Sequence, residues 1–358
     1  MKKVIIILLI LFINIINVYG ISDTSHSSII MDIDSGRILY QKDSNTERLI
    51  ASTTKLMTLL TALKLGEYQL DNEVKVGEEV LKMYGTNMYL NVGEVVTLKD
   101  LLYGLIMRSG NDASVVIATY LSGGIDDFVK SMNKIAHEIG MHNSTFKNPH
   151  GLDEETKNYS TAYDLGILIR YLYLNYSTYL EILGTKYYDF QSNLKSYELI
   201  NRCKMIFTYK YTTTCKNGYT PKAGKSLVTT ASKNNLNLLI VTLDDFDIYN
   251  NHERLYEYYF NKFENYKIID KNTFKIPNNN TNNYYLKNNV YYPLTNKEKD
   301  KINTKIIIEN KDNILGKISI SLNNKVIHEE NIYKKEIIKK DNNSIIKNLK
   351  NILKNIFK

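Results

Sequence analysis

A serine and a lysine three residues apart, at the start of an apolar helix, constrain the fold of this chain most strongly. Ser52 and Lys55 lie in the stretch Ala51-Ser52-Thr53-Thr54-Lys55, and apolar residues follow them at helical spacing. Residues three apart share one face of a helix, so the lysine amine can reach the serine hydroxyl. A base that removes the hydroxyl proton turns serine into a nucleophile. The alternative for this pattern alone is a capped amphipathic helix without a catalytic role.

Lys55 can act as a base only if its pKa lies far below the usual value. At a pKa of about 10.4, roughly one lysine in 2,500 is neutral at pH 7. Burial and a second cation nearby are the two usual causes of a lowered lysine pKa. The fold must therefore bury Lys55 and bring a cation from a distant part of the chain into the same cleft.

Ser109 and Asn111 lie in a polar turn between two apolar segments. The first segment is predicted to be a helix over residues 99–107, and another helix is predicted from Ala113. A Ser-Gly-Asn turn between apolar helices directs its side chains either into a cleft or into solvent. The turn alone does not decide between these two environments.

A candidate for this cation is Lys216, which is followed by Asn217 and Gly218 near the end of a predicted strand. Other strands are predicted at residues 205–209, 226–231 and 236–242, with a hairpin at 28–40. Helices are predicted at 128–139, at 161–173 and from 255. Strands before and after a helical block, with antiparallel connections, indicate an α+β domain.

Composition divides the 358 residues into four regions. Residues 1–20 have the pattern of an export signal: Lys2 and Lys3, an apolar run over 4–18, and small residues for cleavage after Gly20. An uncleaved membrane anchor is the alternative. Residues 21–262 are predicted to be the catalytic domain. Residues 263–333 alternate short β-prone runs with Asn-rich turns and are predicted to form a small β domain.

Residues 334–358 are predicted to form a basic amphipathic helix. Its lysines lie off a face made by Ile345, Ile346, Leu349, Ile352, Leu353, Ile356 and Phe357. This pattern is typical of a helix in a membrane interface, and a helix packed on its own β domain is the alternative. The net charge of +8 is concentrated here, which favours an anionic surface as partner. No Gly-rich phosphate loop or RNA-binding signature is found, so nucleic-acid binding is not expected.

Cysteine and histidine give weaker signals. Cys203 and Cys215 can pair outside the cytoplasm, but two unpaired small apolar residues are an equal alternative. His137 and His142, with Glu138, are spaced five residues apart rather than the four that place two zinc ligands on one helical face. A zinc peptidase is therefore not expected, and neither a metal nor a cofactor is predicted.

The three motifs stand in the same chain order as in class A β-lactamases and penicillin-binding proteins. The chain resembles the serine D-alanyl-D-alanine carboxypeptidases, the low-molecular-mass penicillin-binding proteins, over residues 27–330. The matching segments are 51–58, 93–118, 146–153, 159–165 and 216–228. The resemblance implies an α+β transpeptidase-type domain, with helices on an antiparallel sheet, followed by a small β domain and a C-terminal amphipathic anchor.

The resemblance also implies an activity and roles for the residues. The chain would remove the terminal D-alanine from peptidoglycan stem pentapeptides through an acyl-enzyme on Ser52, and β-lactam antibiotics would acylate the same serine. Lys55 would be the base, and Ser109 would relay the proton to the leaving amine. The implied substrate-binding residues are Asn111, Lys216, Asn217, Gly218 and Tyr219. Backbone N–H groups of Ser52 and Tyr219 would form the oxyanion hole, and the protein would act outside the cytoplasmic membrane, at its outer face or in the cell wall.

Asn217 departs from the Lys-Thr-Gly pattern of the family, in which the threonine hydroxyl meets the substrate carboxylate. A slower enzyme is therefore expected. Some members also use a downstream arginine that binds the substrate carboxylate. Arg254 is the candidate here, but it lies too close to the helix predicted from 255 to be assigned this role. The alternatives are a D,D-endopeptidase of the same family and a catalytically impaired cell-wall-binding module. A β-lactamase is disfavoured because no glutamate matches its deacylating loop.

Overall fold

An antiparallel five-stranded sheet organises residues 21–264 of the computed structural model, which describes residues 21–277 and 283–335. The strands of this first unit are β1 (Ser25–Asp32), β2 (Ile38–Lys42), β3 (Arg48–Leu49), β4 (Glu73–Lys75), β5 (Val95–Thr97), β6 (Tyr159–Ser160), β7 (Tyr187–Gln191), β8 (Ser196–Ile200), β9 (Thr212–Thr220), β10 (Gly224–Lys233) and β11 (Leu236–Asp245). The sheet order is β2-β1-β11-β10-β9, with antiparallel neighbours. Strand β9, which carries Lys216, therefore forms an edge of the sheet.

Helices of the first unit lie before, between and after these strands. They are α1 (Thr54–Gly66), α2 (Leu98–Tyr103), α3 (Asn111–Ser122), α4 (Ile125–Glu138), α5 (Ala162–Asn175), α6 (Glu181–Gly184), α7 (Met205–Thr208) and α8 (Ile248–Lys262). Short 3₁₀ turns cover Ala51–Thr53, Glu67–Gln69, Glu78–Lys82 and Ser177–Tyr179, and a π-helical turn covers Gly104–Arg108. The turn Ala51–Thr53 leads directly into α1, so Ser52 precedes the helix that carries Lys55.

The sheet is covered on both faces because neighbouring residues of a strand point to opposite sides. Ile29 and Met31 of β1 belong to a core that includes Leu59 of α1 and other residues of the helical layer. Ile30 belongs to a second core, which includes Leu255 of α8. The apolar run of β1 therefore fills two layers at once, and the first unit has helices on either side of its sheet.

Residues 265–335 lie in the second unit, whose boundary with the first falls between Glu264 and Asn265. Its strands are β12 (Glu264–Ile269), β13 (Tyr284–Tyr285), β14 (Val290–Leu294), β15 (Ile302–Lys311), β16 (Ile314–Leu322) and β17 (Lys325–Lys334), with a short helix α9 (Asn296–Lys299). Four strands form a sheet of order β13-β17-β16-β15, and β12 pairs with β14. Alternate residues Ile318 and Ile320 of β16 are buried in its core.

The predicted fold class, α+β with an antiparallel sheet and a later β region, is confirmed by this architecture. The predicted export signal and almost all of the predicted amphipathic tail lie outside the described residues. Within residues 21–277 and 283–335, none of the helices is both long and apolar enough to cross a membrane.

The strand predicted at 205–209 is wrong, because Met205–Thr208 forms a short helix. Most of its residues have β-branched or aromatic side chains, which favour strands only weakly. The local contacts of the segment override this preference. The Tyr209 N–H donates to the Met205 carbonyl. Cys203, just before the helix, forms a disulfide with Cys215 of β9, with a Cα–Cα distance of 5.9 Å. The hairpin of β7 and β8 was not identified from the sequence.

Candidate active site

Ser52 lies in a tight turn with an unusual backbone. Ala51, just before it, has a φ of +45°, in the left-handed region that a residue with a side chain rarely adopts. The Thr53 N–H donates to the Ile50 carbonyl at 3.1 Å, and the Thr53 hydroxyl donates to the same oxygen at 2.6 Å. These bonds hold the turn in a conformation that is disfavoured on its own. Such residues concentrate at functional sites.

Two glycines allow other segments to pack against this turn. A Cβ on Gly151 would overlap the carbonyl oxygen of Ala51. A Cβ on Gly218 of β9 would lie 3.0 Å from the backbone nitrogens of Ser52 and Thr53. The glycine at 218 therefore lets the edge strand lie close to the turn without a side chain over the Ser52 N–H.

Lys55 is fully buried, and its amine lies among three oxygen atoms. Nζ is 3.0 Å from Ser52 Oγ, 2.7 Å from Asn111 Oδ1 and 2.6 Å from the carbonyl oxygen of His150. The Asn111 amide nitrogen donates to the Tyr84 carbonyl at 2.6 Å, which turns Oδ1 toward the lysine. Four separate segments of the chain thus fix the position of one amine.

These contacts aim the amine at the serine. A neutral amine has two N–H donors and one lone pair. Asn111 Oδ1 and the His150 carbonyl oxygen can only accept hydrogen bonds, so each takes one N–H. The remaining lone pair then faces Ser52 Oγ and can accept its proton. The geometry is therefore compatible with proton transfer from Ser52 to a neutral Lys55.

The electrostatics of the cleft favour that neutral form. Burial is the main cause that lowers the pKa of Lys55 well below its usual value, and the charge of Lys216 lowers it further. Burial, and then the charge of Arg202, lower the pKa of Lys216 to about 7. The second cation that Lys55 requires is therefore present, and it comes from the edge strand.

Ser109 lies at the end of the π-helical turn that follows α2, with a φ of +58° and a ψ of +38°. Its hydroxyl accepts a hydrogen bond from Lys216 Nζ at 3.1 Å. Its carbonyl accepts one from the Thr86 hydroxyl at 2.6 Å. Helix α3 begins at Asn111 rather than at Ala113 as predicted, so the polar turn that holds Ser109 is shorter than expected.

A cavity of about 660 Å³ joins these side chains. Of the residues that the sequence predicted, Ser52, Ser109, Asn111, Asn217, Gly218 and Tyr219 line it. Lys55 and Lys216 are buried behind Ser52 and Ser109, to which they are hydrogen-bonded. Arg254 is not among its lining residues, and its guanidinium donates to the Ser22 carbonyl and the Asn251 side chain.

Several residues of the site were not identified as functional from the sequence. The His150 carbonyl has no sequence signal because a backbone oxygen belongs to every residue. Burial, and then the charge of Lys55, lower the pKa of the His150 ring to about 3, so this ring is neutral at pH 7. Asp112 accepts the N–H groups of Met88 and Leu90 and so holds that segment against α3. A carboxylate directly after Asn111, in the first turn of a helix, could have suggested such a role.

Arg202 and Tyr249 also line the cavity. Arg202 was not singled out from the sequence, and it lies one residue before the disulfide cysteine Cys203. Tyr249 lies in the first turn of α8. In the sequence it is one of many tyrosines, and nothing distinguishes it from the others. Neither residue could be assigned to the cleft without knowing how α7 packs beside β9 and how α8 packs on β10 and β11.

The chain is similar to known proteins over most of its length. A family model of D-alanyl-D-alanine carboxypeptidases, peptidase S11, matches residues 19–247. D-alanyl-D-alanine carboxypeptidase DacF of Bacillus subtilis is 33% identical over 339 residues, which cover 88% of this chain and 86% of that protein. DacA of Haemophilus influenzae is 30% identical over 261 residues, or 69% of this chain and 64% of that protein. Penicillin-binding protein 5 of Haemophilus influenzae superimposes with a TM-score of 0.74 at 25% identity, covering 89% of this chain and 99% of that one.

Proposed function

Since this chain belongs to the peptidase S11 family of D-alanyl-D-alanine carboxypeptidases, we propose that its cleft hydrolyses the bond between the two terminal D-alanines of a peptidoglycan stem peptide. The protein is a serine-type hydrolase. The proposal assigns the chemistry to the predicted catalytic domain, residues 21–262, with Ser52 as the nucleophile. The observation that supports this proposal most strongly is the fixed position of the Lys55 amine beside the Ser52 hydroxyl.

Acylation begins at Ser52. Its oxygen attacks the carbonyl carbon of the penultimate D-alanine, and its proton passes to the neutral amine of Lys55. The Ser109 hydroxyl then relays this proton from Lys55 to the leaving nitrogen, the C–N bond breaks, and free D-alanine departs. Lys216 is hydrogen-bonded to Ser109 and stabilises this relay. A positioned base of this kind contributes about 10²- to 10⁴-fold to the rate.

The tetrahedral oxyanion is held by the backbone N–H groups of Ser52 and Tyr219. Gly218 supports this assignment, because it lies against the Ser52 nitrogen and carries no side chain that would cover it. Donors that are fixed before the reaction often supply the largest catalytic contribution. Asn111 lines the cavity and positions Lys55, and the remaining hydrogen of its amide can meet the substrate amide.

The substrate carboxylate lies at the cationic end of the cleft, near Lys216, Arg202 and Asn217. Water then hydrolyses the ester between the peptide and Ser52 and regenerates the enzyme. A β-lactam antibiotic acylates the same serine, because opening its ring leaves an ester of the same kind.

The test is digestion of purified stem pentapeptides and cross-linked muropeptides by the full-length protein, with labelling by a fluorescent penicillin. Release of D-alanine from the pentapeptide, with labelling, is expected. Cleavage of the cross-linked muropeptide alone would overturn the carboxypeptidase assignment in favour of an endopeptidase. Failure of both labelling and digestion would identify a catalytically impaired module.

We also propose that the protein is exported and is held at the outer face of the cytoplasmic membrane. The apolar run over residues 4–18 supports export. Between residues 331 and 358 there are eight lysines against two acidic residues, Glu336 and Asp341, and the apolar residues follow helical spacing. Such a segment binds an anionic membrane surface by apolar burial and by charge. Attachment there keeps the catalytic domain near its polymeric substrate.

A further inference from the structure

Tyr249 connects three segments at the cationic end of the cleft. Its hydroxyl oxygen accepts a hydrogen bond from the Asn217 side-chain amide at 3.3 Å. Burial raises the pKa of Tyr249, and the Lys204 backbone and the Asn217 amide act against this rise. The phenol oxygen therefore accepts a hydrogen bond from β9 and lies near the residue that precedes α7.

The contact with Asn217 limits where the phenol proton can go. A tyrosine hydroxyl has one O–H donor and two lone pairs. The Asn217 side-chain nitrogen donates to one lone pair and cannot accept, so the phenol proton is directed to another group. Within residues 21–277 and 283–335, none accepts a hydrogen bond from the Tyr249 hydroxyl. A partly buried O–H without an acceptor is unfavourable unless water or a ligand supplies one.

The hydroxyl lies where a ligand can reach it. Tyr249 lines both the catalytic cavity and an adjoining cavity of about 380 Å³. The two cavities share four further lining residues and are separated by them: Asn217, Gly218, Tyr219 and Lys204. Lys216 precedes Asn217 on β9, and Arg202 lies on the opposite segment. An anionic group of a peptide bound across Ser52 is attracted to this end.

We propose that Tyr249 is a substrate-binding residue, whose hydroxyl donates a hydrogen bond to the terminal carboxylate of the peptide. Asn217 acts through it: this residue is a positioning group, which donates to the phenol oxygen and so leaves the phenol proton free to meet the ligand. This inference rests on the proposed function, because it is the proposed substrate that carries the carboxylate. It assigns to Asn217 an indirect role in place of direct contact with that group.

The first test compares kcat/KM for D-alanine release from a pentapeptide by the natural protein, Tyr249→Phe and Tyr258→Phe. Tyr258 lies on the same helix and contacts the ring of Tyr259, so its substitution controls for loss of a phenol from α8. Tyr249→Phe should lower kcat/KM about tenfold, mainly through KM, and Tyr258→Phe should not change it. An unchanged Tyr249→Phe would overturn the inference and leave the proposed function intact.

The second test separates donation to the carboxylate from a purely structural role. The rate of acylation is measured with benzylpenicillin and with its methyl ester, which lacks the negative charge. Tyr249→Phe should reduce the ratio of the two rates about tenfold by slowing the acid alone. An equal loss for acid and ester would overturn the inference and indicate a structural role. If the natural protein is not acylated by either compound and releases no D-alanine, the proposed function itself fails.

A double-mutant cycle tests the link to Asn217. If Asn217 acts through Tyr249, Asn217→Ala should lower kcat/KM, and adding Tyr249→Phe should cause little further loss. Losses that multiply in the double variant would show that the two side chains act independently. The positioning role of Asn217 would then be wrong.

Discussion

Gly151 lies directly against the carbonyl oxygen of Ala51, the residue before the proposed nucleophile. A methyl group on Gly151 would overlap that oxygen and would also lie 3.0 Å from the Thr54 hydroxyl. Gly151 has a φ of +90°, in the left-handed region that favours glycine. Its neighbour His150 supplies the carbonyl that accepts from Lys55. One loop thus supports both the serine turn and the lysine amine.

Gly151→Ala should therefore damage activity as well as stability. The left-handed backbone alone costs a residue with a side chain about 1–2 kcal/mol, and the overlap with Ala51 adds to it. Gly140→Ala is the matched control, since Gly140 has a φ of +95° and open space around its Cα. Both variants should unfold at lower urea concentration, but only Gly151→Ala should slow acylation by penicillin. Equal acylation rates in the two folded variants would contradict the link between this loop and Ser52.

The parts of the site that could be predicted from the sequence are those that form short local patterns. Ser52 and Lys55 are one helical turn apart, and Ser109 with Asn111 lies in one polar turn. The structure brings these together with Lys216, which lies more than a hundred residues further along the chain. Resemblance to a family, rather than spacing, suggested that third contact. The assigned roles stay predictions until the variants are measured.

What could not be predicted depends on backbone atoms and on packing between distant elements. The His150 carbonyl carries no side-chain signature, and Tyr249 reaches the cleft only because α8, which packs on β10 and β11, places it beside Asn217 of β9. Met205–Thr208 has strand-forming residue types but is helical between a disulfide cysteine and the edge strand. The pairing of β10 with β11 was predictable because two β-prone runs, at 226–231 and 236–242, are separated by a short polar segment.

Substitution of the nucleophile and of its base should give different losses. Ser52→Ala should abolish penicillin labelling and D-alanine release, because no acyl-enzyme can form. Lys55→Ala should slow acylation by about 10²- to 10⁴-fold, the usual range for a general base. Lys64→Ala, on the same helix but partly exposed, is the control and should retain the natural rate. Normal labelling of folded Ser52→Ala would refute the assignment of the nucleophile.

The two buried lysines should give opposite limbs in the pH profile of kcat/KM. As the proposed base, Lys55 must be neutral, so its contribution to kcat/KM should rise with pH through its lowered pKa. Lys216 attracts the carboxylate as a cation, so its contribution falls as pH rises through about 7. A bell-shaped profile of kcat/KM is therefore expected.

Lys216→Arg should remove the descending limb, because a guanidinium stays charged at any pH at which the protein is folded. The activity at low pH also decreases in this variant, since the larger head group fits the site less well, so the profile is compared by shape. Lys64→Arg is the control and should leave both limbs in place. A descending limb at the same pH in Lys216→Arg would assign that titration to another group.

Removal of residues 336–358 should release an active enzyme from membranes. The full-length protein should bind vesicles that contain anionic lipid, and this binding should weaken as salt screens the lysines. The truncated protein should stay in the supernatant after sedimentation and should keep its kcat/KM on a soluble pentapeptide. Equal binding of both proteins to the vesicles would place the membrane contact elsewhere in the chain.

The disulfide between Cys203 and Cys215 should stabilise the cationic side of the cleft as well as the fold. The two cysteines are 12 residues apart, and each adjoins a residue of the site: Arg202 and Lys204 on one side, Lys216 on the other. Closing a loop of this length stabilises a protein by about 2–4 kcal/mol. Both sulfur-bearing side chains are buried, so alanine is a better replacement than serine, whose hydroxyl would lack a partner.

The double variant Cys203→Ala with Cys215→Ala should therefore unfold at lower urea concentration and show a raised KM for the pentapeptide, because Arg202 and Lys204 are no longer tied to β9. Reductant should lower the stability of the natural protein toward that of the variant, and it should not affect the variant. Thiol titration of the denatured natural protein without reductant should find no free cysteine, and two free thiols would contradict the pairing. An unchanged KM in the destabilised variant would limit the disulfide to a role in stability, since the cationic side chains would then hold their positions without it.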